Sequence, residues 1–509
     1  MTDGSENPSW IRDKCLPTLA RIAYSKHYIC LPPLSDKCRV LFRNRLTSVF
    51  AHVLPDLKGF SYPCDLLHNF TPDAVAMDKN ITKSKDSAIS SMGQLLKNAK
   101  KAKDEKKAPL QALALLYSLV IFQLYDGEPD AVSILDELKL CYDGLIRRKE
   151  SIDSEVDASE VLIELLLSFI SKPSALLKRI TQHVFSAFMD NITAGGLKLM
   201  TDVLLSSESL RGQQELFDQE PEDGQEEDDD EKAEMDSDVE VMDVNREGHL
   251  NGHPHEEEDE DGDEDDEEDE DGDDGSTDDN DEEANKLNDA LANVLGTHRL
   301  DQDSDGNESD SDADMTDSEM MALDSKLVEI FSQRKKVPNK KQEQKDAKET
   351  IVNFKSRVLD LLEIYVKKQA TNPLAFGLLL PLLQLIRTTT MKQLAGKASN
   401  TIQVFAKASK SAKKVEGGTM IQVPELIKLM ESIHLEASKD PTHTLAKASS
   451  TASLLLASSL YRADKESVEK VAKVYKQSQV AWVLGKVKMQ AAFFIEWVNW
   501  CQSHANSQT

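Results

Sequence analysis

Asp301, Asp303 and Asp305, followed by Gly306 and with Asp312 at the twelfth position, have the opening spacing of an EF-hand calcium loop. Alternate aspartates would aim their carboxylates at one cation, and the glycine would make the sharp turn. The remainder of the pattern fails. The twelfth position calls for a glutamate long enough to hold calcium through both oxygens, and the eighth for an apolar residue that pairs with a second loop. This chain has Asp312 and Glu308 there. In so aspartate-rich a stretch the spacing arises from composition, and the carboxylates support only diffuse, salt-screened cation attraction. His249, His253 and His255 beside Glu256 are zinc-ligand types in a segment that cannot preorganise them. No metal and no cofactor is expected.

Catalytic signatures are missing as well. The chain contains no phosphate-cradling GxxxxGKS or GxxxxGKT, no GxSxG nucleophile elbow and no HExxH. Its carboxylates are too many and too exposed to single out an acid–base pair. An enzyme is not expected.

Charge chemistry remains. Ser237, Ser276, Ser309, Ser311 and Thr316 each have Asp or Glu three residues later, the pattern read by the basic pocket of an acidophilic kinase. Arg334, Lys335 and Lys336 with Lys340 and Lys341 form a candidate nuclear-import signal. Lys97, Lys100, Lys101, Lys103, Lys106 and Lys107 form a candidate basic contact surface. Exposed helix ends carry the same residue types. Lys392, Lys397, Lys407, Lys410, Lys413 and Lys414 are a third group that folding could bring to one face.

These residues sit in a polarised chain. From Asp218 to Glu319 there are 48 acidic and 4 basic residues, a net charge of −44, whereas the 509-residue whole carries −31. Everything outside the tract is therefore +13. A tract of this kind cannot bury a core and reads either as a solvated, self-repelling linker or as a polyanion that competes for basic partners such as histone tails, basic ribosomal proteins or nucleic-acid-binding surfaces. The expected organisation is a helical-repeat segment over 1–215, an acidic disordered linker over 216–317, a second helical-repeat segment over 318–503 and a disordered tail over 504–509. The six scattered cysteines form no CxxC pair, and Met1–Trp10 is polar, so free thiols in a reducing compartment are expected. The longest apolar run, Leu374–Ile386, contains Gly377, Pro381 and Gln384 and is too short to cross a bilayer, and no membrane partner is expected.

Outside the tract the pattern is helix, short break, helix. Helices are expected over Trp10–Ala23, Lys37–Val53 (with Ser35 as cap), Ala88–Lys103, Leu110–Tyr125 with Pro109 in its first turn, Asp130–Arg148, 154–171 and Pro173–Met189. Gly195-Gly196 is expected to separate the last of these from Leu197–Leu205. In 154–171 only Glu160, Glu164 and Ser168 break an apolar surface, so that helix should be covered on most sides. Beyond the tract, helices are expected over Ser318–Gln333, Ala347–Gln369, Leu374–Ile386, Met391–Lys407, Pro424–Glu436, Pro441–Tyr461, Lys465–Val480 and Lys486–Cys501. The fold class is all-α, with armadillo/HEAT-like α-solenoid segments interrupted by the acidic tract. No fixed sequence period supports a named repeat, and an irregular helical bundle is the alternative.

Three passages resemble a known family. They are Asp317-Ser318-Glu319-Met320-Met321-Ala322-Leu323-Asp324 closing the tract, the run Phe354-Lys355-Ser356-Arg357-Val358-Leu359-Asp360-Leu361-Leu362-Glu363-Ile364-Tyr365, and Asn372-Pro373-Leu374 with its leucines. Together they are similar to the Myb-binding protein 1A family, relatives of the fungal protein called the fifth DNA polymerase. The resemblance implies a nuclear, largely nucleolar helical-repeat protein. It implies binding of transcription factors and other nuclear proteins, corepression, and a link to ribosomal RNA genes and ribosome production. Contact with nucleic acid is expected to be indirect. The alternative is an acidic chaperone of histones or ribosomal proteins acting through the tract. Family members are expected to be longer, with more helices upstream and a basic tail downstream, as if this chain were a fragment or a short isoform. The sequence has no YGDTDS-like metal-binding motif, so polymerase activity is not expected.

Overall fold

The computed structural model describes residues 10–25, 33–53, 61–68, 72, 75, 77–147, 157–217, 340–411 and 423–506. Among the described residues there are helices and no strand, so the fold is all-α. Contacts divide the chain into two units, Met1–Gln219 with Gln344–Thr509, and Glu220–Glu343. Of the second unit only 340–343, the opening of one long helix, are described. The expected linker beyond Phe217 and the expected helix Ser318–Gln333 lie outside the described residues, as do the five candidate phosphorylation sites, the EF-hand-like run, the clustered histidines, and Arg334, Lys335 and Lys336.

Before the tract the chain forms α1 (Leu16–Tyr24), α2 (Asp36–Val53), α3 (Ser61–His68), α4 (Lys79–Lys101), α5 (Asp104–Asp126), α6 (Ala131–Cys141), α7 (Ala158–Ser171), α8 (Ala175–Ala187), α9 (Ala194–Leu205) and α10 (Leu210–Phe217). Beyond it come α11 (Lys340–Lys368), α12 (Pro373–Phe376), α13 (Leu379–Thr388), α14 (Lys392–Ser411), α15 (Val423–Ala437), α16 (His443–Ala463), α17 (Ser467–Val483) and α18 (Ala491–Asn506). Side chains that accept from the first free amides fix many of the starts. Ser35 accepts from Cys38 N (3.3 Å), Asp78 from Asn80 and Ile81 (both 2.8 Å), Asp157 from Ser159 (2.9 Å), and Asn372 from Leu374 (3.0 Å).

Each half is built round one central helix. α5 packs against α3, α4, α6 and α8; α16 packs against α13, α14, α15, α17 and α18. They meet this demand differently. α5 buries large residues on all sides, among them Leu113, Leu116, Tyr117, Ile121 and Tyr125. α16 buries Ala448, Ser449, Ser450, Ala452, Ser453, Ala457 and Ser459 between its leucines, and small residues allow close approach from several directions. In α7 only Glu160, Glu164 and Ser168 escape burial over 160–170, the stripe expected from the sequence.

Three local expectations are corrected. α5 starts at Asp104, so Pro109 lies inside it; this costs one backbone bond near the helix start, where few are at stake. Gly195 and Gly196 form the first turn of α9 instead of a break. Thr193 caps Gly196 N at 3.4 Å, and α9 lies so close to α7 that a methyl on either glycine would press on Glu160 or Ile163. The run Leu374–Ile386 is two helices, α12 and α13, parted at Gly377–Leu378. By length and hydropathy Lys106–Asp126 could cross a membrane, but 78% of its most apolar stretch is buried inside the stack, as a central helix requires.

The halves join through α13, which packs on α9, and through α11. Its Arg357 Nη1 donates to the carbonyls of Ile170 (3.0 Å) and Lys172 (2.6 Å), satisfying the end of α7. Asp360 pairs with Lys178 of α8 (2.8 Å) and Lys397 of α14 (2.6 Å). Phe354 meets Phe217 of α10 at 5.6 Å, so the helices flanking the acidic insert in sequence touch in space. Lys355, 2% exposed, donates to the Ser206 carbonyl (2.7 Å) and to Glu208 Oε1 (3.2 Å), while Thr389 donates to Glu208 Oε2 (3.2 Å). Burial pulls the Lys355 amine below the usual lysine range against the opposing pull of Glu208.

The turn that carries Glu208 depends on Gly212. Ser209 Oγ accepts from Gly212 N (3.3 Å), and a methyl at position 212 would fall on the Ser207 carbonyl, which is backbone and cannot swing away. Gly212→Ala is expected to cost about 1–3 kcal/mol, the range for forced overpacking. A urea titration checks it; an unchanged midpoint would count against the close approach.

Candidate interaction groove

A cavity of about 560 Å³ runs between α14, α16 and α18. α16 supplies one wall with His443, Lys447, Thr451, Ser458 and Arg462; α14 supplies Ala406 and Lys410; α18 supplies Ala492, Ile495, Glu496, Asn499, Trp500 and Ser503. The floor is apolar, with Leu454 and Leu455 beside the two alanines. Lys410 and Lys447 are exposed on facing helices. Arg462 is tethered, its Nη1 donating to the Ser409 carbonyl at 2.8 Å, so it ties α16 to the end of α14. Ser450 Oγ donates to the Phe493 carbonyl (3.1 Å) and Trp500 Nε1 to Ser458 Oγ (3.0 Å), which bind α18 to α16.

The α18 wall is stiffened by an aromatic column. Tyr475 stacks on Trp497 at 4.3 Å, Trp497 on Trp500 at 5.1 Å, and Trp500 on His504 at 3.9 Å. Tyr461 meets the edge of Trp500 at 5.7 Å. The aromatic end of the last helix is thus core on one side. On the other, Ile495 is 54% exposed in the groove wall.

Behind the groove His434 is buried. Ser478 Oγ lies 2.8 Å from its Nδ1 and Ser453 Oγ 2.9 Å from its Nε2; Tyr475 donates its hydroxyl to Ser453 (2.7 Å). The ring also meets Tyr475 at 4.6 Å and Phe493 at 4.8 Å, both edge-on. Burial pushes the imidazole pKa down to about 3. Two Ser–His contacts invite a nucleophilic reading, but a base this weak takes up a proton poorly near neutral pH. Ser453 is fully buried with its oxygen shared between two partners, so the network packs the core.

The basic residues singled out in the sequence fall apart by location. Lys97, Lys100, Lys101, Lys103, Lys106 and Lys107 are all exposed at the α4–α5 turn. Lys340 and Lys341 open α11. Of the α14 group, Lys392, Lys407 and Lys410 are exposed, Lys397 turns inward to Ser356 and Asp360, and Lys413 and Lys414 lie outside the described residues. The sequence reading missed the groove, whose cations come from two helices far apart in the chain. The one available signal was the Ala/Ser-rich stretch 446–459, which marks a helix approached closely from several sides.

Cys64 and Cys141 are buried, and their thiols donate to the carbonyls of Ala114 and Ala158. Burial pushes both thiol pKa values up to about 12, so neither is a ready nucleophile. Among the described residues no three His, Cys, Asp or Glu side chains come together as metal ligands.

A family model described as DNA polymerase phi matches residues 2–366. The rDNA transcriptional regulator pol5 of Schizosaccharomyces pombe is 30% identical over 431 residues, covering 84% of this chain and 42% of that protein. The rDNA transcriptional regulator POL5 of Saccharomyces cerevisiae is 27% identical over 458 residues, covering 84% and 43%. A Myb-binding protein 1A-like protein of Danio rerio is 28% identical over 122 residues, covering 23% and 9%. The chain thus spans less than half the length of these curated relatives. No solved structure matches it.

Proposed function

The chain belongs to the DNA polymerase phi family, and from that premise we propose that it regulates transcription of ribosomal RNA genes in the nucleus, as a helical scaffold that binds other macromolecules and catalyses nothing itself. The observation that carries this reading is the similarity to two rDNA transcriptional regulators over 84% of the chain. The polymerase in the family's description is a label. Nucleolar residence, corepression, a role in ribosome production and binding of transcription factors belong to the same proposal, the last suggested by the name of the Danio rerio relative. Import through Arg334, Lys335, Lys336, Lys340 and Lys341, and phosphorylation within the acidic tract, complete it.

Pulse labelling of precursor ribosomal RNA tests the reading. In cells depleted of their own copy, the chain should move the rate of synthesis back toward normal; a rate that ignores it would sink the proposal. A second reading, chaperoning of histones or ribosomal proteins, is favoured by the net charge of −44 over Asp218–Glu319. Affinity purification with and without 218–316 separates the two. Basic proteins lost on deletion would point to the tract, and partners retained would point to the helices.

A further inference from the structure

We propose that the groove between α14, α16 and α18 receives an amphipathic acidic segment of a partner protein, its carboxylates meeting Lys410 and Lys447 and its apolar face lying on Leu454, Ala492 and Ile495. The proposal rests on the scaffold reading above and names the chemistry of one partner.

Charge and shape carry it together. His443, Lys447 and Arg462 follow one another along α16, with Lys410 opposite, and Glu496 is the one carboxylate in the lining. From His443 to Arg462 the groove is about 28 Å long at 1.5 Å per residue, enough for about five turns of a helix. Between the cations Leu454 and Leu455 form an apolar strip bordered by Thr451 and Ser458, and Ile495 extends it as an exposed residue on α18. A ligand that satisfies both features has acidic residues on one side and apolar residues on the other, the helix-in-groove mode of recognition.

Nucleic acid fits less well. A single strand would look for an aromatic face on which to stack a base. Trp500 is the aromatic residue in the lining, and its ring already stacks with Trp497 and with His504. A phosphate backbone also brings a charge about every 3.4 Å per strand, against a lining that offers few cations, an apolar floor and a glutamate.

The test is fluorescence anisotropy with the full chain and a labelled synthetic peptide of about four helical turns, leucine at helical spacing on one face and glutamate elsewhere. Comparators are the same residues in shuffled order, a polyglutamate of equal charge and a single-stranded RNA of equal charge. The amphipathic peptide should bind best. Lys410→Glu with Lys447→Glu should weaken it by about 10- to 100-fold, as expected when two charge-assisted contacts become repulsive, and Ile495→Asp should weaken it several-fold. Circular dichroism controls the fold, and the milder pair Lys410→Gln with Lys447→Gln should give a smaller loss in the same direction. Affinity indifferent to all three variants would overturn the proposal. So would polyglutamate or RNA that binds as tightly and loses the same factor, or binding that emerges only after deletion of 218–339, which would make the chain's own insert the occupant. A wild-type chain that ignores the peptide yet restores ribosomal RNA synthesis defeats the groove proposal and leaves the scaffold reading standing.

Discussion

Glu208→Ala should destabilise the helical body by about 3–5 kcal/mol, the usual result of stranding one member of a buried ion pair. Its partner Lys355 is 2% exposed and holds its ammonium 3.2 Å from Glu208 Oε1, with the Ser206 carbonyl as its other contact. Without the carboxylate that charge stays in a poorly solvated seam, and Thr389 loses its acceptor. Glu208→Leu combined with Lys355→Met should recover most of the loss, because no charge is then left buried and an apolar pair fills similar space. Denaturant titrations of the two variants against the parent measure the difference. A Glu208→Ala midpoint equivalent to less than about 1 kcal/mol would mean that the pair behaves like a solvated surface pair. The result matters for function because this pair joins the loop before α10 to α11, so weakening it loosens the attachment of one half to the other.

The second large effect is a response to acid. A buried histidine whose pKa is about 3 in the folded chain and near 6.5 in the unfolded one contributes stability that is fully present above pH 6.5. That contribution is lost as pH falls, because the unfolded chain takes up a proton that the folded one refuses. Between pH 7 and pH 5 His434 alone should cost about 2 kcal/mol. Glu436 adds to the trend in the same direction. Burial opposes its ionisation, but bonds from Lys439 (2.7 Å) and Arg387 (2.5 Å) prevail and hold its carboxyl below the usual range. Comparison with His434→Gln isolates the imidazole: urea midpoints of the parent should fall more steeply from pH 7 to 5 than those of the variant. Parallel slopes would show that His434 does not carry the effect.

Much of the helical architecture was legible in the residues because burial imposes periodicity. The three-residue polar stripe of α7 and the cap at Ser35 are one-dimensional signals, and they hold. Signals that depend on packing between helices were misread. Gly195 and Gly196 look like a break in the sequence, yet they are small because α9 lies tight on α7. The Leu374–Ile386 run looks continuous because hydrophobicity says nothing about a turn at Gly377–Leu378. The groove and the Lys355–Glu208 pair were invisible for a stronger reason. Glu208 and Lys355 are 147 residues apart, and Lys410 and Lys447 come from different helices. No spacing rule joins residues that only the folded chain makes neighbours. The run Phe354-Lys355-Ser356-Arg357 served first to mark a resemblance. In the structure three of its members, Phe354, Lys355 and Arg357, reach across to the half before the acidic tract.

The Phe217–Phe354 contact ties α10 to α11, the described helices on either side of the acidic tract. The two phenylalanines lie on either side of the acidic tract in sequence, so their contact closes a long loop of chain. Closing such a loop costs an entropy that grows only with the logarithm of its length, about 0.6 kcal/mol for each doubling. The span from 218 to 339 can therefore gain or lose acidic residues, or accumulate phosphate, at little expense to the helices that hold its ends.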